Sequence, residues 1–144
     1  MRTHGSSQPD PSIRITRRVT FAAGHILCRP EWSDERNRQI FGACSSEHGH
    51  NYVVEVTLEG DVDPDTGMIA NLKDVDAVLK RELISAVDHR HLNRDVDFLR
   101  TVVPTAENIA LEAWKLLGPH FEPARLVRLR VVESENNSAE VVAE

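Results

Sequence analysis

The residues best suited to chemistry lie in the run Cys44-Ser45-Ser46-Glu47-His48-Gly49-His50-Asn51-Tyr52. On an extended strand alternate residues face one side, so His48 and His50 present two imidazoles to one point, about 7 Å apart at ~3.3 Å rise per residue. Such a pair suits a first-row metal, above all Zn²⁺, which takes imidazole nitrogen at about 2 Å. The plainer alternative is two surface histidines in a polar segment. Gly49 faces the other way and lets another backbone come close. A metal site needs a third ligand, and His25 is the best candidate, at the end of a neighbouring alternating segment and in phase with its apolar residues. Three histidines with one open position make a catalytic pattern rather than a closed structural one. Cys44 is then a fourth ligand, a thiolate activated beside positive charge, or a small filler like Cys28.

Two other places stand out. Asp88 precedes His89 where a helix should give way to a loop, and a carboxylate can orient an imidazole and raise its basicity. A helix-terminal histidine facing the dipole is the bland alternative. Glu133 ends the alternation Val127, Leu129, Val131. A carboxylate in phase with an apolar row needs partners, and a ligand with N–H donors would satisfy it unless the side chain simply reaches solvent.

The elements that must position these groups follow from periodicity. Ile13, Ile15, Val19, Phe21, Ala23 and His25 share one parity, with Arg14, Thr16, Arg18 and Thr20 on the other, which predicts a half-buried strand. Ile26 to Gly42 is a long charged excursion with at most a short helical turn near Asp34–Ile40. The His-x-His segment continues as a strand through Leu58. Asp63-Pro64 and Thr66-Gly67 punctuate a turn, and Met68–Ala70 predicts a strand stub. Asn71 caps a helix running to about Val87 on Leu72, Val75, Val78, Leu79, Leu83 and Ala86. After a second long connection, Thr105 caps a helix built on Ile109, Ala110, Ala113, Trp114, Leu116 and Leu117, stopped by Gly118-Pro119. Leu126–Glu133 and Ala139–Ala143 are two closing strands. The order predicts an α+β domain, an antiparallel sheet with two helices packed on one face. Met1 to Ser12 reads as a disordered lead-in, and 13–144 as a single domain.

A chain of 144 residues with 40% hydrophobic and 28% charged residues suits one domain with a real core. A net charge of -6 gives no footprint for nucleic acid. No apolar run reaches the ~18 residues of a membrane span, and the polar N-terminus is no secretory signal. The expected location is cytoplasmic, where Cys28 and Cys44 stay free thiols.

The signals converge on one family. Phe21-Ala22-Ala23-Gly24-His25, Ser33-Asp34-Glu35-Arg36-Asn37 leading to Phe41-Gly42-Ala43-Cys44, His48-Gly49-His50-Asn51-Tyr52, Asp63-Pro64-x-Thr66-Gly67-Met68, Asp88-His89-x-x-Leu92-Asn93, Pro104-Thr105-Ala106-Glu107-Asn108 and Glu133-x-x-Asn136-Asn137 occur in order. From about Ile13 to Glu140 the chain resembles the 6-pyruvoyl-tetrahydropterin synthase / 6-carboxytetrahydropterin synthase family. The resemblance implies the tunnelling fold (T-fold), subunits joined edge to edge into trimeric barrels, and a homohexamer of two stacked trimers with active sites between subunits. It implies that His25, His48 and His50 hold Zn²⁺ and that Cys44, Asp88 and His89 transfer protons. Glu133 would anchor the pterin ring, and Thr105 and Glu107 would bind substrate from a neighbouring subunit. The implied activity is a zinc-dependent lyase turning 7,8-dihydroneopterin triphosphate into 6-pyruvoyl-tetrahydropterin with loss of triphosphate.

The short Cys44-x-x-x-His48 gap looks more like the 6-carboxy branch of queuosine biosynthesis, which acts on the same substrate and releases acetaldehyde and triphosphate. Ser33–Cys44 and Glu133–Asn137 look more like the 6-pyruvoyl branch of tetrahydrobiopterin synthesis. Two readings of other classes are a non-catalytic pterin- or purine-binding protein and a His-x-His metal oxygenase of cupin type. Intact Cys44, Asp88 and His89 speak against the first, and two helices between the strand pairs against the second.

Overall fold

In a computed structural model describing residues 8–144, the alternation after Ile13 becomes β1, Arg14–His25, with exposed and covered residues in strict succession toward its buried end. Residues 8–13 are exposed and carry no regular structure, and the rest of the expected lead-in lies outside the described residues. β2, His48–Glu59, pairs antiparallel with β1 along its whole length, from Arg14 opposite Glu59 to His25 opposite His48. β4, Arg125–Ser134, pairs antiparallel with β2, and β5, Asn137–Val142, with β4.

One sheet face carries the core. Tyr52, Val54, Val56, Leu58, Leu129 and Val131 are buried there beneath Val75, Leu79, Leu83 and Val87 of one helical segment and Ile109, Ala113 and Leu117 of another. Phe21 stacks on the opposite Tyr52 with ring centroids 4.7 Å apart. Burying each such large side chain contributes roughly 1.5–3 kcal/mol. The charge that shares this face is also paired. Arg17 reaches across to α2, Leu72–Val78, and donates two hydrogen bonds to Asp76 at 2.7 and 2.8 Å.

Several boundaries differ from expectation, each for a local reason. The sheet is mixed, because β3, Arg90–His91, adds a two-residue parallel pairing at Ala23 and Gly24 to an otherwise antiparallel order β3-β1-β2-β4-β5. The first excursion holds α1, Asp34–Phe41, longer than one turn. Ser33 caps it, Asp34 and Glu35 face its positive end, and the Asn37 amide is buried against both the N–H and C=O of Arg29. Met68–Ala70 forms no strand. Asp63 closes that segment as a turn, its carboxylate accepting from Asp65 N–H and its carbonyl from Gly67 N–H. The helix begun at Leu72 does run to Val87, but widens into a π-helical stretch at Leu79–Ile84 before α3, Ser85–Val87. α4, Ala106–Leu117, starts on the Thr105 cap, as expected. Among the described residues no helix is long and apolar enough to cross a membrane.

Candidate metal centre and active site

Register brings the histidines together. His25 is the cross-strand partner of His48, and His50 lies two rungs inward, opposite Ala23, whose small side chain leaves room for the ring. The ring centroids stand 4.5 Å apart for His25 and His48, 5.0 Å for His25 and His50, and 4.9 Å for His48 and His50. One ring nitrogen from each lies within 4.8 Å of the other two, and the group can hold a metal ion. Cys44 is not part of it. Gly49, between the two histidines, faces away, and a Cβ there would sit only 3.1 Å from the Ala23 carbonyl, so glycine lets the strands stay paired.

The backbone orients two of the rings. His25 Nδ1 lies 2.9 Å from the Pro104 carbonyl, and His48 Nδ1 lies 2.7 Å from the Ser46 carbonyl. A carbonyl only accepts, so each Nδ1 carries the proton and each Nε2 is left bare for a metal. His50 Nε2 is buried with no hydrogen-bond partner. An orphan of this kind costs about 1–3 kcal/mol, which a coordinated cation would relieve. The three histidines therefore fit a metal. Burial also pushes the His25 and His50 imidazoles below their usual range, which favours the neutral, ligating form. Beneath them the Tyr52 hydroxyl is buried 3.4 Å from both His25 nitrogens, and burial pushes its pKa up.

Glu133 follows Val132, which pairs with Val53. Its side chain is 15% exposed and turns toward the cluster, with Oε1 3.6 Å from His50 Nε2. Asn137 Nδ2 donates to the same oxygen at 3.3 Å. The carboxylate thus faces the site rather than bulk water, and much of its accepting capacity is unspent.

Asp88 and His89 sit just after α3. Asp88 Oδ1 accepts from Ala22 N–H at 3.0 Å, and Oδ2 lies 3.1 Å from His89 Nδ1. The Ala22 N–H, then His89, hold the Asp88 carboxyl below the usual carboxylate range. His89 adopts a left-handed backbone, φ 58°, while its N–H donates to the Ala22 carbonyl at 2.7 Å. That turn throws the imidazole outward, 83% exposed, where its Nε2 can meet a ligand. A groove of about 660 Å³ is lined by His50, Asn51, Gly24, Gly49, His89 and His91; of the three clustered histidines only His50 borders it, and Gly24, Gly49 and Asn51 belong to the sheet face turned away from the cluster.

The other expected residues are placed less directly. Cys44 lies exposed in a 3₁₀ turn, Gly42–Ser45, entered through Gly42 at φ 60°. Its carbonyl accepts from Leu27 N–H at 2.8 Å, which ties the turn to the chain two residues beyond His25. Thr105 spends its hydroxyl on capping α4, accepting from Asn108 N–H, and Glu107 is exposed on the first turn. Neither contacts the cluster within this chain, although Pro104 just before them supplies the carbonyl that aims His25.

Sequence reasoning missed the supporting groups. The Pro104 and Ser46 carbonyls have no residue signature. Asn93 both accepts from Ile26 N–H and donates to Ile26 C=O, at 2.9 Å each, clasping the loop after His89 to the end of β1. The signal available for Asn93 was its place in the Asp88-His89-x-x-Leu92-Asn93 motif. Glu47, between Cys44 and His48, pairs with His91 and Arg94, which also hold its carboxyl below the usual range.

Comparison with known proteins agrees with this arrangement. The family model for 6-pyruvoyl tetrahydropterin synthase matches residues 14–144. The human 6-pyruvoyl tetrahydrobiopterin synthase is 38% identical over 126 residues, covering 86% of this chain and 87% of the human one. The 6-carboxy-5,6,7,8-tetrahydropterin synthase of Bacillus subtilis is 40% identical over 102 residues, covering 69% of this chain and 61% of the relative. The structure of Caenorhabditis elegans 6-pyruvoyl tetrahydropterin synthase superposes with a TM-score of 0.85 at 34% identity, covering 93% of this chain and 97% of that one. The helix-backed sheet is thus shared across the matched length, in the α+β tunnelling fold, and the chain belongs to the 6-pyruvoyl tetrahydropterin synthase family.

Proposed function

We propose that this chain is a zinc-dependent lyase that converts 7,8-dihydroneopterin triphosphate to 6-pyruvoyl-tetrahydropterin and triphosphate. The observation that carries the reading is the three-histidine cluster with its orphaned His50 Nε2, faced by the Glu133 carboxylate. His25, His48 and His50 would hold Zn²⁺, which when bound polarises the substrate side-chain hydroxyls and acidifies the attached carbons. Cys44 takes a carbon-bound proton as thiolate. His89, oriented by Asp88, gives a proton back at Nε2, since Nδ1 faces the carboxylate. Glu133 accepts two N–H bonds from the 2-aminopyrimidinone edge, a bidentate charge-assisted pairing. Redox change stays within the substrate, so no nicotinamide is required.

Residues 13–144 act as one pterin synthase domain in the cytoplasm, with Thr105 and Glu107 serving the site of a neighbouring subunit. A homohexamer of two trimers is supported by the sheet edges. β5 is a terminal strand, and β3 covers the outer edge of β1 only at Ala23 and Gly24. Unpaired edges of this length call for a partner or a covering element. The 40% identity to the Bacillus subtilis relative keeps one second reading, the 6-carboxy product.

The test is mass spectrometry of products after 7,8-dihydroneopterin triphosphate is added to zinc-loaded protein. A 6-pyruvoyl product with free triphosphate is expected. A 6-carboxy product with acetaldehyde assigns the second reading. Unchanged substrate with zinc bound overturns both and leaves a pterin-binding protein.

A further inference from the structure

His25 is the most buried of the three clustered histidines, and its Nδ1 donates to the Pro104 carbonyl, 79 positions away in the chain. What aims that carbonyl can be traced. A proline has no N–H and its ring locks φ, so the direction of its carbonyl is set by the peptide plane that follows. The Pro104 carbonyl and the Thr105 N–H belong to one planar trans peptide and point opposite ways. Thr105 N–H donates to the Val103 carbonyl at 2.8 Å, closing a three-residue turn around Pro104. Holding that N–H on one side directs the Pro104 carbonyl to the other, toward His25.

The same Val103 oxygen accepts a second hydrogen bond, from Asn108 Nδ2 at 2.9 Å. A carbonyl oxygen has two lone pairs, and both are used here. Asn108 stands on the first turn of α4, and the residue after it, Ile109, is fully buried, as is Ala113 one turn on. The Asn108 amide thus ties the turn around Pro104 to a helix end that the core holds fixed. Removing the amide leaves the Val103 carbonyl bonded to Thr105 N–H. It also leaves the helix cap, because Thr105 Oγ1 accepts from the backbone N–H of Asn108 and not from its side chain. Folding should therefore lose little without the Asn108 side chain.

We propose that Asn108 is a positioning residue of the metal centre: by holding the Val103 carbonyl it fixes the Pro104 carbonyl that keeps the His25 proton on Nδ1 and leaves Nε2 bare. The proposal rests on the reading that His25, His48 and His50 hold the metal. A neutral imidazole has two tautomers, and His25 can ligate through Nε2 only in the one that protonates Nδ1. If the Pro104 carbonyl swings away, the proton is free to sit on Nε2 and must be moved before a metal can bind there. Partners that aim metal-binding histidines typically change metal affinity about 10- to 100-fold. Asn108 acts one step further out, through the backbone, on the histidine of its own chain.

The experiment compares Asn108→Ala and Asn108→Asp with the parent. Zinc affinity is read by competition with a chromophoric chelator, and the His25 tautomer by nitrogen-15 NMR of the metal-free protein. Asn108→Asp keeps the side-chain shape, loses the N–H donor and sets a carboxylate against the Val103 oxygen, while an acid in the first turn of a helix suits the dipole. Zinc affinity should fall about 10-fold in Asn108→Ala and up to about 100-fold in Asn108→Asp, with the Tm of the metal-free protein close to the parent's. The parent should carry the His25 proton on Nδ1, and in Asn108→Asp a large share of molecules should carry it on Nε2. Zinc affinity within about twofold of the parent in both variants, or a His25 proton that stays on Nδ1 in both, would overturn the proposal. A lower Tm at unchanged affinity would do the same, by making Asn108 a purely structural residue. If the parent takes up no zinc, the functional reading has failed by itself, and the tautomer comparison still decides whether Asn108 aims His25.

Discussion

The two ends of the β1–β2 ribbon are built from the same strands and finished in opposite ways. At one end Glu59 accepts from Arg14 at 2.8 Å and from Arg125 at 2.7 Å, so three neighbouring strands close their charges on one another. At the other end His25, His48 and His50 face one another, and the buried His50 Nε2 has no hydrogen-bond partner, with the Glu133 carboxylate 3.6 Å away. The first end is complete as it stands and does nothing further. The second is completed only by something the chain does not contain. A fold stable enough along the ribbon can carry that incompleteness at one end, and the incompleteness is what makes a site.

Breaking the open end should have the largest effect. His48→Ala removes a ligand whose Nδ1 is already aimed by the Ser46 carbonyl. Metal content measured by elemental analysis should fall from about one per chain to near zero, with turnover lost. Unchanged metal would refute the ligand set. The metal should also stabilise the parent fold, by about 2.7 kcal/mol when free metal is 100 times Kd, so chelation should lower Tm in the parent and not in the variant. Cys44→Ala comes next. Cys44 lies outside the histidine group, so turnover should fall by more than about 1000-fold with metal retained. Loss of metal instead would make the thiol a ligand and remove its proton-transfer role. Glu133→Gln is smaller. One of two charge-assisted contacts weakens, and pterin affinity by calorimetry should drop about 10- to 100-fold while Tm moves little. Unaltered affinity would count against the anchor.

How much of this contrast is legible in the sequence depends on range. A period of two places His25, His48, His50 and Glu133 on one face, and strand ends place them near one another, so the ligand set can be read without coordinates. The helices from Leu72 and Ala106 are legible through their caps, Asn71 and Thr105. The parallel Arg90–His91 bridge is not, because two residues carry no periodicity. Nor is the π-helical Leu79–Ile84, where tertiary packing selects a wider turn from residues that suit any helix. Arg17, charged but on the core-facing side of β1, makes sense only once Asp76 is seen beside it. The carbonyls that aim His25 and His48 belong to the backbone, which every residue shares. Glu47 and His91 lie 44 positions apart, and their pairing follows from the fold and from no local pattern.

The closed end sharpens the comparison through pH, because the two ends lose stability to acid in different windows. In the metal-free protein, burial holds His25 and His50 below the ordinary imidazole value of 6.5. Above that value folded and unfolded chains are both neutral there. As pH falls below it the unfolded chain binds protons first, so the stability from these neutral rings is lost downward from about 6.5. Glu59 is held below the ordinary 4.5 by Arg14 first and then Arg125, so its contribution is present at neutral pH and lost only as pH drops below that value. Glu59→Gln should therefore lower Tm slightly at pH 7, by an amount that shrinks with added salt because both arginine partners are open to solvent, 55% and 70% exposed. The difference from the parent should vanish in strong acid, and metal content should be unchanged throughout. The fall in stability between pH 7 and 5 should be the same in parent and variant, since it belongs to the histidine end. If Glu59→Gln instead altered that fall, or released the metal, the two ends would be coupled through the ribbon rather than independent.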